Sequence, residues 1–167
     1  MSTASVVIGI GGNVGTEAEL RTRFGHAREA LSLLGAVRSA PLYRTAPIGP
    51  AQPPYLNTAV SVRLEDVQPC ELIATLLELE RLLGRDRAQE VRWGPRRIDL
   101  DVLVWGDRVV HTPELEVPHP RLGDRRFALA PLVALVGEDA AVPGLGRLGD
   151  RLRAVHAQLL DEIAATW

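Results

Sequence analysis

The 167-residue sequence contains no lysine, so all 19 of its basic residues are arginines. This absence excludes a Walker A phosphate loop and any Schiff-base lysine, because both require the lysine side chain. Cysteine is almost as scarce, since Cys70 is the only one. A disulfide framework within the chain and a zinc site built on paired cysteines are therefore excluded, and a reducing compartment is expected.

The sequence also lacks a basic excess and a long apolar run. Its net charge is -2 and its pI is about 6.1, which disfavours nucleic-acid binding, because that function needs a clear positive surplus. The N-terminal segment has neither the basic start nor the apolar length of a signal peptide. The most apolar later stretch, residues 127–136, is about half a membrane span. We therefore expect one domain in a cytoplasmic monomer that binds neither nucleic acid nor membrane.

The most informative segment that is present runs from Arg92 to Asp101 (RWGPRRIDLD) and sets three arginines before two carboxylates. If residues 98–105 form a strand, Asp99 and Asp101 lie on one face of it. The apolar residues of the opposite face then point into the core: Ile98, Leu100, Val102 and Val104. Two adjacent carboxylates repel each other, so magnesium is expected between them, with the arginines binding phosphate oxygens. The alternative is a solvated strand face that is salt-bridged to the arginines.

Hydrophobic periodicity predicts an α+β fold, a ferredoxin-like β-α-β-β-α-β sheet with helices packed on it. The predicted strands cover residues 6–10, 37–43, 56–64 and 98–105, with an edge hairpin within 109–117. The predicted helices cover residues 16–35, 69–83, 127–136 and 148–165. Two long loops are expected over the active site: a loop with four prolines, residues 45–55, and a basic loop, residues 85–97, that is expected to be mobile.

The first predicted strand leads into the glycine-rich segment Gly9 to Gly15 (GIGGNVG). Its spacing does not match the G-x-G-x-x-G fingerprint followed by a ribose-binding acid, so a dinucleotide site is disfavoured. A tight turn or close packing against a flat ligand is the preferred interpretation. Asn13 is interpreted as a residue that caps this turn.

Four more side chains could together stack on and hydrogen-bond a flat heterocycle: Tyr55, Asn57, Trp93 and Phe127. Aromatic residues make up only 4% of the sequence, which makes each one notable, although a residue of this kind, taken alone, more often fills space in the core than contacts a ligand. Glu80 could be a solvated partner of nearby arginines. His119, which lies between two prolines, could be a rigid turn residue.

Five strings occur in order along nearly the whole chain: VIGIGGNVG, SAPLYRTAPIGPAQPPYLNTAV, LELERLLGRDR, RWGPRRIDLDVLVWGD and VPHPRLGDRRFALAPL. In this order they resemble the 6-hydroxymethyl-7,8-dihydropterin pyrophosphokinase family. The resemblance implies a single catalytic domain over residues 1–167. It also implies transfer of pyrophosphate from ATP to the hydroxymethyl group of the reduced pterin in folate biosynthesis, with release of AMP.

The resemblance further implies a role for each residue that matches the family's motifs. Asp99 and Asp101 are expected to hold two magnesium ions, and Arg85 and Arg96 to act as catalytic residues that neutralise the triphosphate. The expected ATP contacts are Glu80, Arg92, Ile98, His119 and Arg125. The expected pterin contacts are Thr45, Ala46, Pro47, Ile48, Tyr55, Asn57, Trp93 and Phe127, with Trp93 closing over the site.

The sequence departs from the family pattern at two places. Gly12 stands where the family usually has serine, which removes a hydroxyl contact. The loop between Gly84 and Trp93 is one residue longer than in some members, and Ala88 and Gln89 stand where a basic residue often occurs. Two alternative functions therefore stay open: a small nucleotidyltransferase, which would release inorganic pyrophosphate, and a non-catalytic nucleotide or pterin sensor.

Overall fold

An antiparallel sheet forms the centre of the fold in the computed structural model, which describes residues 3–47 and 49–167. Its strands are β1 (Thr3–Gly12), β2 (Val37–Ser39), β3 (Leu42–Thr45), β4 (Tyr55–Glu65), β5 (Asp99–Trp105) and β10 (Asp161–Ala164), and two small hairpins lie outside it, β6 (Val110–His111) with β7 (Glu116–Val117) and β8 (Ala141–Val142) with β9 (Gly146–Arg147). The sheet order is β10-β3-β4-β1-β5, with β2 also paired to β4. β1 lies between β4 and β5 and is antiparallel to both. This order confirms the predicted ferredoxin-like α+β core.

Two helices cover one face of the sheet, α1 (Glu17–Ser32) and α2 (Pro69–Leu82). α1 begins with a capping box, in which the Thr16 hydroxyl accepts from the Glu19 amide and the Glu19 carboxylate accepts from the Thr16 amide. Pro69 opens α2, where a missing amide hydrogen costs nothing. The apolar stripes of both helices and the facing sheet residues form the larger core: Leu20, Phe24, Leu31, Leu72 and Leu76 with Val6, Ile8, Val60 and Val62.

The opposite face of the sheet carries α3 (Arg126–Val136), and the short helix α4 (Leu148–Ala154) packs beside it. The second core cluster joins these helices to the sheet through Leu129, Leu132 and Leu148. Sheet side chains alternate between the two clusters along most of β5. A bulge between Val7 and Ile8 in the pairing of β1 with β5 shifts the register, so Val104 joins the second cluster rather than the face of Val102. The predicted orientation of Val104 is therefore wrong.

Three other sequence-based boundaries need correction. The predicted strand 37–43 is interrupted at Ala40-Pro41, because proline cannot donate a ladder hydrogen bond. The first strand was predicted to end at residue 10 but continues through Gly12, so the turn predicted within GIGGNVG is confined to the end of that string, where Gly15 has a φ of 108°. The predicted final helix ends at Ala154, and β10 pairs instead with the edge strand β3. In the described part of the chain, no helix combines the length and the apolar character needed to cross a membrane.

Candidate functional site

The carboxylates of Asp99 and Asp101 line the same cavity, as strand periodicity predicts. They lie at the start of β5, where Asp99 pairs with Gly11 of β1 and Asp101 pairs with Gly9. The neighbouring strand therefore presents no side chain beside either carboxylate. Gly11 is also needed for packing, because a Cβ there would lie 2.9 Å from Oδ1 of Asn57. The glycines of the first motif thus open one wall of the cavity.

The acidic pair carries more negative charge than its surroundings balance. Burial, together with the nearby charges of Asp99 and Glu80, raises the pKa of Asp101 to about 7. Within residues 3–47 and 49–167, Asp99 forms an ion pair with Arg85, whereas no arginine forms one with Asp101. A divalent cation would relieve this repulsion, so the donor set fits magnesium. The described residues contain no cluster of three or more potential ligands, so phosphate oxygens and water would have to complete the shell.

Arg85 is the centre of a buried ionic network behind the acidic pair. Its guanidinium donates to Asp99 at 2.5 Å, to Glu80 at 2.8 Å and to both carboxylate oxygens of Glu90 at 2.7 and 3.0 Å. Burial acts to lower the pKa of Arg85, but the hydrogen bond to Glu90 and the charge of Asp99 outweigh it and raise that pKa above its ordinary value. Arg85 is therefore a structural cation as well as a candidate catalytic residue.

Glu90 connects the two arginines that were predicted to be catalytic. It pairs with Arg85 as described and also with the guanidinium of Arg96. Glu80 lies beneath them, where its carboxylate binds Arg85, Arg87 and the backbone amide of Leu100. Because Glu80 is only 1% exposed, it holds the loop and the strand together and does not reach the cavity. The predicted ATP contact of Glu80 is wrong in this conformation.

The cavity has a volume of about 260 Å³ and is lined by residues from both long loops, β1, β4, β5 and the start of α3. The predicted site residues that line it are Thr45, Ala46, Tyr55, Asn57, Trp93, Arg96, Asp99, Asp101, His119, Arg125 and Phe127. The structure therefore brings together most of a set that is scattered between residues 45 and 127. Arg85, Arg92 and Pro47 are not among the lining residues. Ile48 lies outside the described residues.

Ile98 was predicted to contact ATP, but the structure contradicts this contact. Ile98 has no exposed surface and belongs to the larger core cluster. The reason is the strand alternation itself, because the residue before Asp99 must point to the opposite face. Arg92 is exposed and stacks on the outer side of Trp93, with its guanidinium carbon 5.5 Å from the ring centre.

A further group of lining residues suits a flat polar ring. Asn57 is 7% exposed and donates to the hydroxyl of Thr45 at 2.8 Å, which fixes the orientation of its amide. Tyr55 donates to the carbonyl of Gly94 at 2.8 Å. Trp93 has a left-handed backbone (φ 63°) and is 39% exposed. Together with Phe127, these residues offer the cavity both stacking surfaces and hydrogen-bonding groups.

A second cationic group, the guanidinium of Arg125, faces the acidic pair from the turn before α3. Burial and the nearby Arg125 lower the pKa of His119, so its imidazole is neutral at pH 7. Arg125 lies 5.5 Å from the ring centre of Phe127, and Arg121 lies 5.0 Å from that of Trp93. Two further residues of this region, Arg121 and Glu90, were not predicted. The available signals were the position of Arg121 shortly after His119 and the presence of Glu90, an acid, in an arginine-rich loop.

An antiparallel α+β sheet that presents paired carboxylates and a cluster of arginines to one cavity is typical of enzymes that bind polyphosphates with divalent cations. The sequence matches the family described as 7,8-dihydro-6-hydroxymethylpterin-pyrophosphokinase (HPPK) over residues 7–137. The chain belongs to this family.

Individual relatives agree with this assignment. A 2-amino-4-hydroxy-6-hydroxymethyldihydropteridine pyrophosphokinase of Synechocystis is 37% identical over 163 residues, which cover 96% of this chain and 76% of that protein. A protein of the same name from Pseudomonas aeruginosa is 33% identical, with 95% and 96% coverage. The mitochondrial folate synthesis bifunctional protein of Arabidopsis thaliana is 41% identical over 138 residues, and the match covers 79% of this chain but only 23% of that protein.

Solved structures share the fold. The crystal structure of wild-type Plasmodium falciparum HPPK-DHPS with pteroate superposes with a TM-score of 0.71 at 14% identity. The match covers 92% of this chain and 42% of the Plasmodium chain. The present chain therefore spans less than half of that fused protein, and the similarity concerns the fold alone.

Proposed function

We propose that this protein is a magnesium-dependent 2-amino-4-hydroxy-6-hydroxymethyldihydropteridine pyrophosphokinase that acts in folate biosynthesis. Family membership supports this activity. The geometric observation that carries the proposal is one cavity lined by Asp99, Asp101, Arg96 and Arg125 together with Asn57 and Phe127. The same cavity therefore holds the charges that a triphosphate needs and the groups that a pterin needs.

In the proposed reaction, the hydroxymethyl oxygen of the pterin attacks the β-phosphorus of ATP. A new oxygen-phosphorus bond forms while the bond between the β-phosphorus and the oxygen bridging to the α-phosphate breaks, and that oxygen leaves with AMP. Arg96 and Arg125 bind phosphate oxygens, while Asp99 or Asp101 accepts a hydrogen bond from the attacking hydroxyl, whose proton is released to the solvent as its oxygen bonds to phosphorus. Magnesium held by the acidic pair would offset the phosphate charge. The chain's own contribution is mainly orientation and electrostatic stabilisation.

The proposal includes two magnesium ions, one catalytic domain over residues 1–167 and a monomer in the cytoplasm. Pairing of β10 with β3 supports the single domain, because residues 161–164 complete the same sheet that carries Asp99. The exposed free thiol of Cys70 suits a reducing compartment. Light scattering of the purified protein tests the monomer, and titration with manganese monitored by electron paramagnetic resonance counts the metal ions in the ATP complex.

A product assay tests the activity itself. Incubation with ATP, magnesium and the reduced pterin is expected to give pterin diphosphate and AMP in equal amounts, measured by mass spectrometry. Formation of ADP would exclude transfer of a whole pyrophosphoryl group. Release of inorganic pyrophosphate would favour a nucleotidyltransferase, and binding without turnover would favour a sensor.

Replacing Phe127 with alanine is expected to raise KM for the pterin about 10- to 100-fold, because an aromatic wall of the proposed ring pocket is lost. Phe127 lines the cavity from the start of α3 and offers neither charge nor a hydrogen-bond donor to phosphate oxygens. Affinity for ATP should therefore change less than threefold. Steady-state kinetics with each substrate varied in turn, together with calorimetric ATP binding, checks the prediction. Equal weakening for both substrates would contradict the assignment of Phe127 to the pterin.

The Glu90→Gln variant is expected to bind ATP about 3- to 10-fold more tightly than the parent protein. Glu90 occupies guanidinium donors of both Arg85 and Arg96, and a neutral amide competes less strongly with phosphate oxygens for them. Calorimetry with a non-cleavable ATP analogue and magnesium measures the change. Glu78→Gln is the matched control, because Glu78 forms an exposed pair with Arg81 on α2. Weaker binding by Glu90→Gln would show that the Glu90 contacts support the ATP site rather than compete with it.

A further inference from the structure

Asn13 makes contacts that turn capping does not explain. The residue immediately follows β1 and is only 1% exposed, although its side chain is polar. Its amide oxygen accepts a hydrogen bond from the backbone amide of Arg96 at 2.9 Å. Its amide nitrogen donates to the side-chain oxygen of Gln52 at 3.0 Å and to the carbonyl of Pro53 at 2.9 Å. One buried side chain therefore binds two loops that are distant in sequence.

The first of these loops is residues 49–54, the part of the predicted proline-rich segment 45–55 that is called the proline loop below. The second is the basic loop, residues 85–97, which is called the arginine loop below. The backbone of Asn13 reinforces the second contact, because its amide donates to the carbonyl of Arg96 at 2.9 Å. Gln52 extends the first contact to the arginine loop, since its side-chain nitrogen donates to the carbonyl of Trp93 at 2.8 Å. A chain of hydrogen bonds thus runs from Arg96 through Asn13 and Gln52 to Trp93.

Gly12 explains how the arginine loop comes close enough to form this chain. A Cβ on Gly12 would lie 2.7 Å from the backbone carbonyl of Arg97, a distance that a side chain does not tolerate. The glycine at this position therefore replaces a possible hydroxyl contact with close approach of the loop backbone. Arg23 holds the same carbonyl from α1 at 2.8 Å. The loop is fixed at Arg96 and Arg97 while its earlier part is bound through Glu90.

We infer that Asn13 is a positioning residue that couples the proline loop to the arginine loop and so sets Arg96 and Trp93 over the two substrates. This inference deepens the proposed function and rests on it for the roles of Arg96 and Trp93. Asn13 is suited to the task because one primary amide supplies both the acceptor and the two donors that the site uses. Losing the amide leaves the Arg96 amide and the Pro53 carbonyl without these partners, so both loops move away from their positions together.

The Asn13→Ala variant tests the inference by NMR relaxation of the backbone amides. Order parameters in the proline loop, at Ala51 and Gln52, and in the arginine loop, at Arg96, are expected to fall together from about 0.85 to below about 0.6, while those of β4 and α1 stay unchanged. This measurement needs no turnover, so it decides the role of Asn13 even if the parent protein makes no pterin diphosphate. A fall in only one loop, or in neither, would overturn the coupling.

Kinetics provide the second readout. In Asn13→Ala, kcat is expected to fall about 10- to 100-fold while ATP affinity changes less than threefold, because displacement of Arg96 affects the transition state more than ground-state binding. Leu31→Ala is the matched control, since Leu31 is fully buried in α1 and belongs to the larger core cluster. At temperatures well below unfolding, Leu31→Ala should retain the parent kcat. An equal kcat loss in this control would assign the effect to stability.

Gln52→Ala keeps the inference testable if Asn13→Ala does not fold, because Gln52 is only half-buried in the proline loop. This variant is expected to lower kcat about three- to tenfold and to lower the backbone order parameter at Trp93. If Gln52 acts through Asn13, the double variant should lose no more than about twofold beyond Asn13→Ala alone. Fully multiplicative losses would show that the two side chains act independently and would overturn the proposed chain of hydrogen bonds.

Discussion

The Asp101→Asn variant is expected to lose pyrophosphoryl transfer by at least roughly 1,000-fold, or about 4 kcal/mol, and yet to be more stable than the parent protein above pH 7. Activity falls because the carboxylate is a proposed magnesium ligand. Stability rises because the same carboxylate is half-buried next to Asp99 and Glu80 and has no ion-pair partner within the described residues. The charge that the reaction requires is therefore unfavourable for the metal-free fold.

The pH dependence of this effect follows from the direction of the shift. In the folded protein, the pKa of Asp101 is raised from 3.8 to about 7, so the folded state keeps a proton that the unfolded chain releases. The contribution of Asp101 to stability is intact below about pH 4, falls as the pH rises through the interval from 4 to 7, and is lost above it. The gain from Asp101→Asn should therefore be absent at pH 4 and reach about 2 kcal/mol, or roughly 4–8 °C in Tm, at pH 8.

Thermal unfolding between pH 4 and pH 8.5, in EDTA and in magnesium, measures this prediction. Asp107→Asn is the matched control, because Asp107 is an exposed acid in the turn after β5. Magnesium with a non-cleavable ATP analogue should raise Tm of the parent and leave that of Asp101→Asn nearly unchanged. A variant that retains turnover, or one that is less stable than the parent at pH 8, would contradict the role given to Asp101.

The alternation along β5 illustrates what the sequence could predict. A period of two, with apolar residues between the acids, was enough to place Asp99 and Asp101 on one face. The same rule failed at Val104, because the bulge changes the register and is set by pairing with β1. The same period of two directs Ile98 away from the cavity. The ATP contact inferred for Ile98 from family resemblance therefore conflicted with the strand pattern that the sequence itself contains.

The C-terminal segment and Glu90 show what sequence could not provide. Residues 155–165 continue an apolar pattern that is compatible with a helix, yet β10 is a strand because the edge of β3 is available for pairing. Glu90 lies in a loop without periodicity, so its pairing with two arginines depends on tertiary approach alone. The predicted mobility of the arginine loop remains a prediction.

Replacing Arg85 with alanine is expected to cost much more stability than replacing Arg96, although both residues were predicted to have the same catalytic role. We expect each variant to lose kcat by about 100- to 1,000-fold, since both guanidinium groups neutralise phosphate charge in the proposed transition state. Arg85→Ala should also unfold more easily, by about 3–5 kcal/mol, because Glu80 and Glu90 lose their shared buried cation. Arg96→Ala should cost about 1 kcal/mol, because Arg96 is more exposed and Arg85 still pairs with Glu90.

Urea unfolding of the three proteins, with kinetics at matched folded fractions, distinguishes the two contributions. Arg81→Ala is the control. Arg81 lies on α2, four residues before Arg85, and pairs only with exposed Glu78 among the described residues. Its stability and turnover should match the parent. Arg85→Lys should recover part of the stability but little of the turnover, since an ammonium group cannot reproduce a planar fork that reaches three carboxylates. Equal destabilisation by Arg85→Ala and Arg96→Ala would mean that the network is not centred on Arg85, and the structural role assigned to its burial would be wrong.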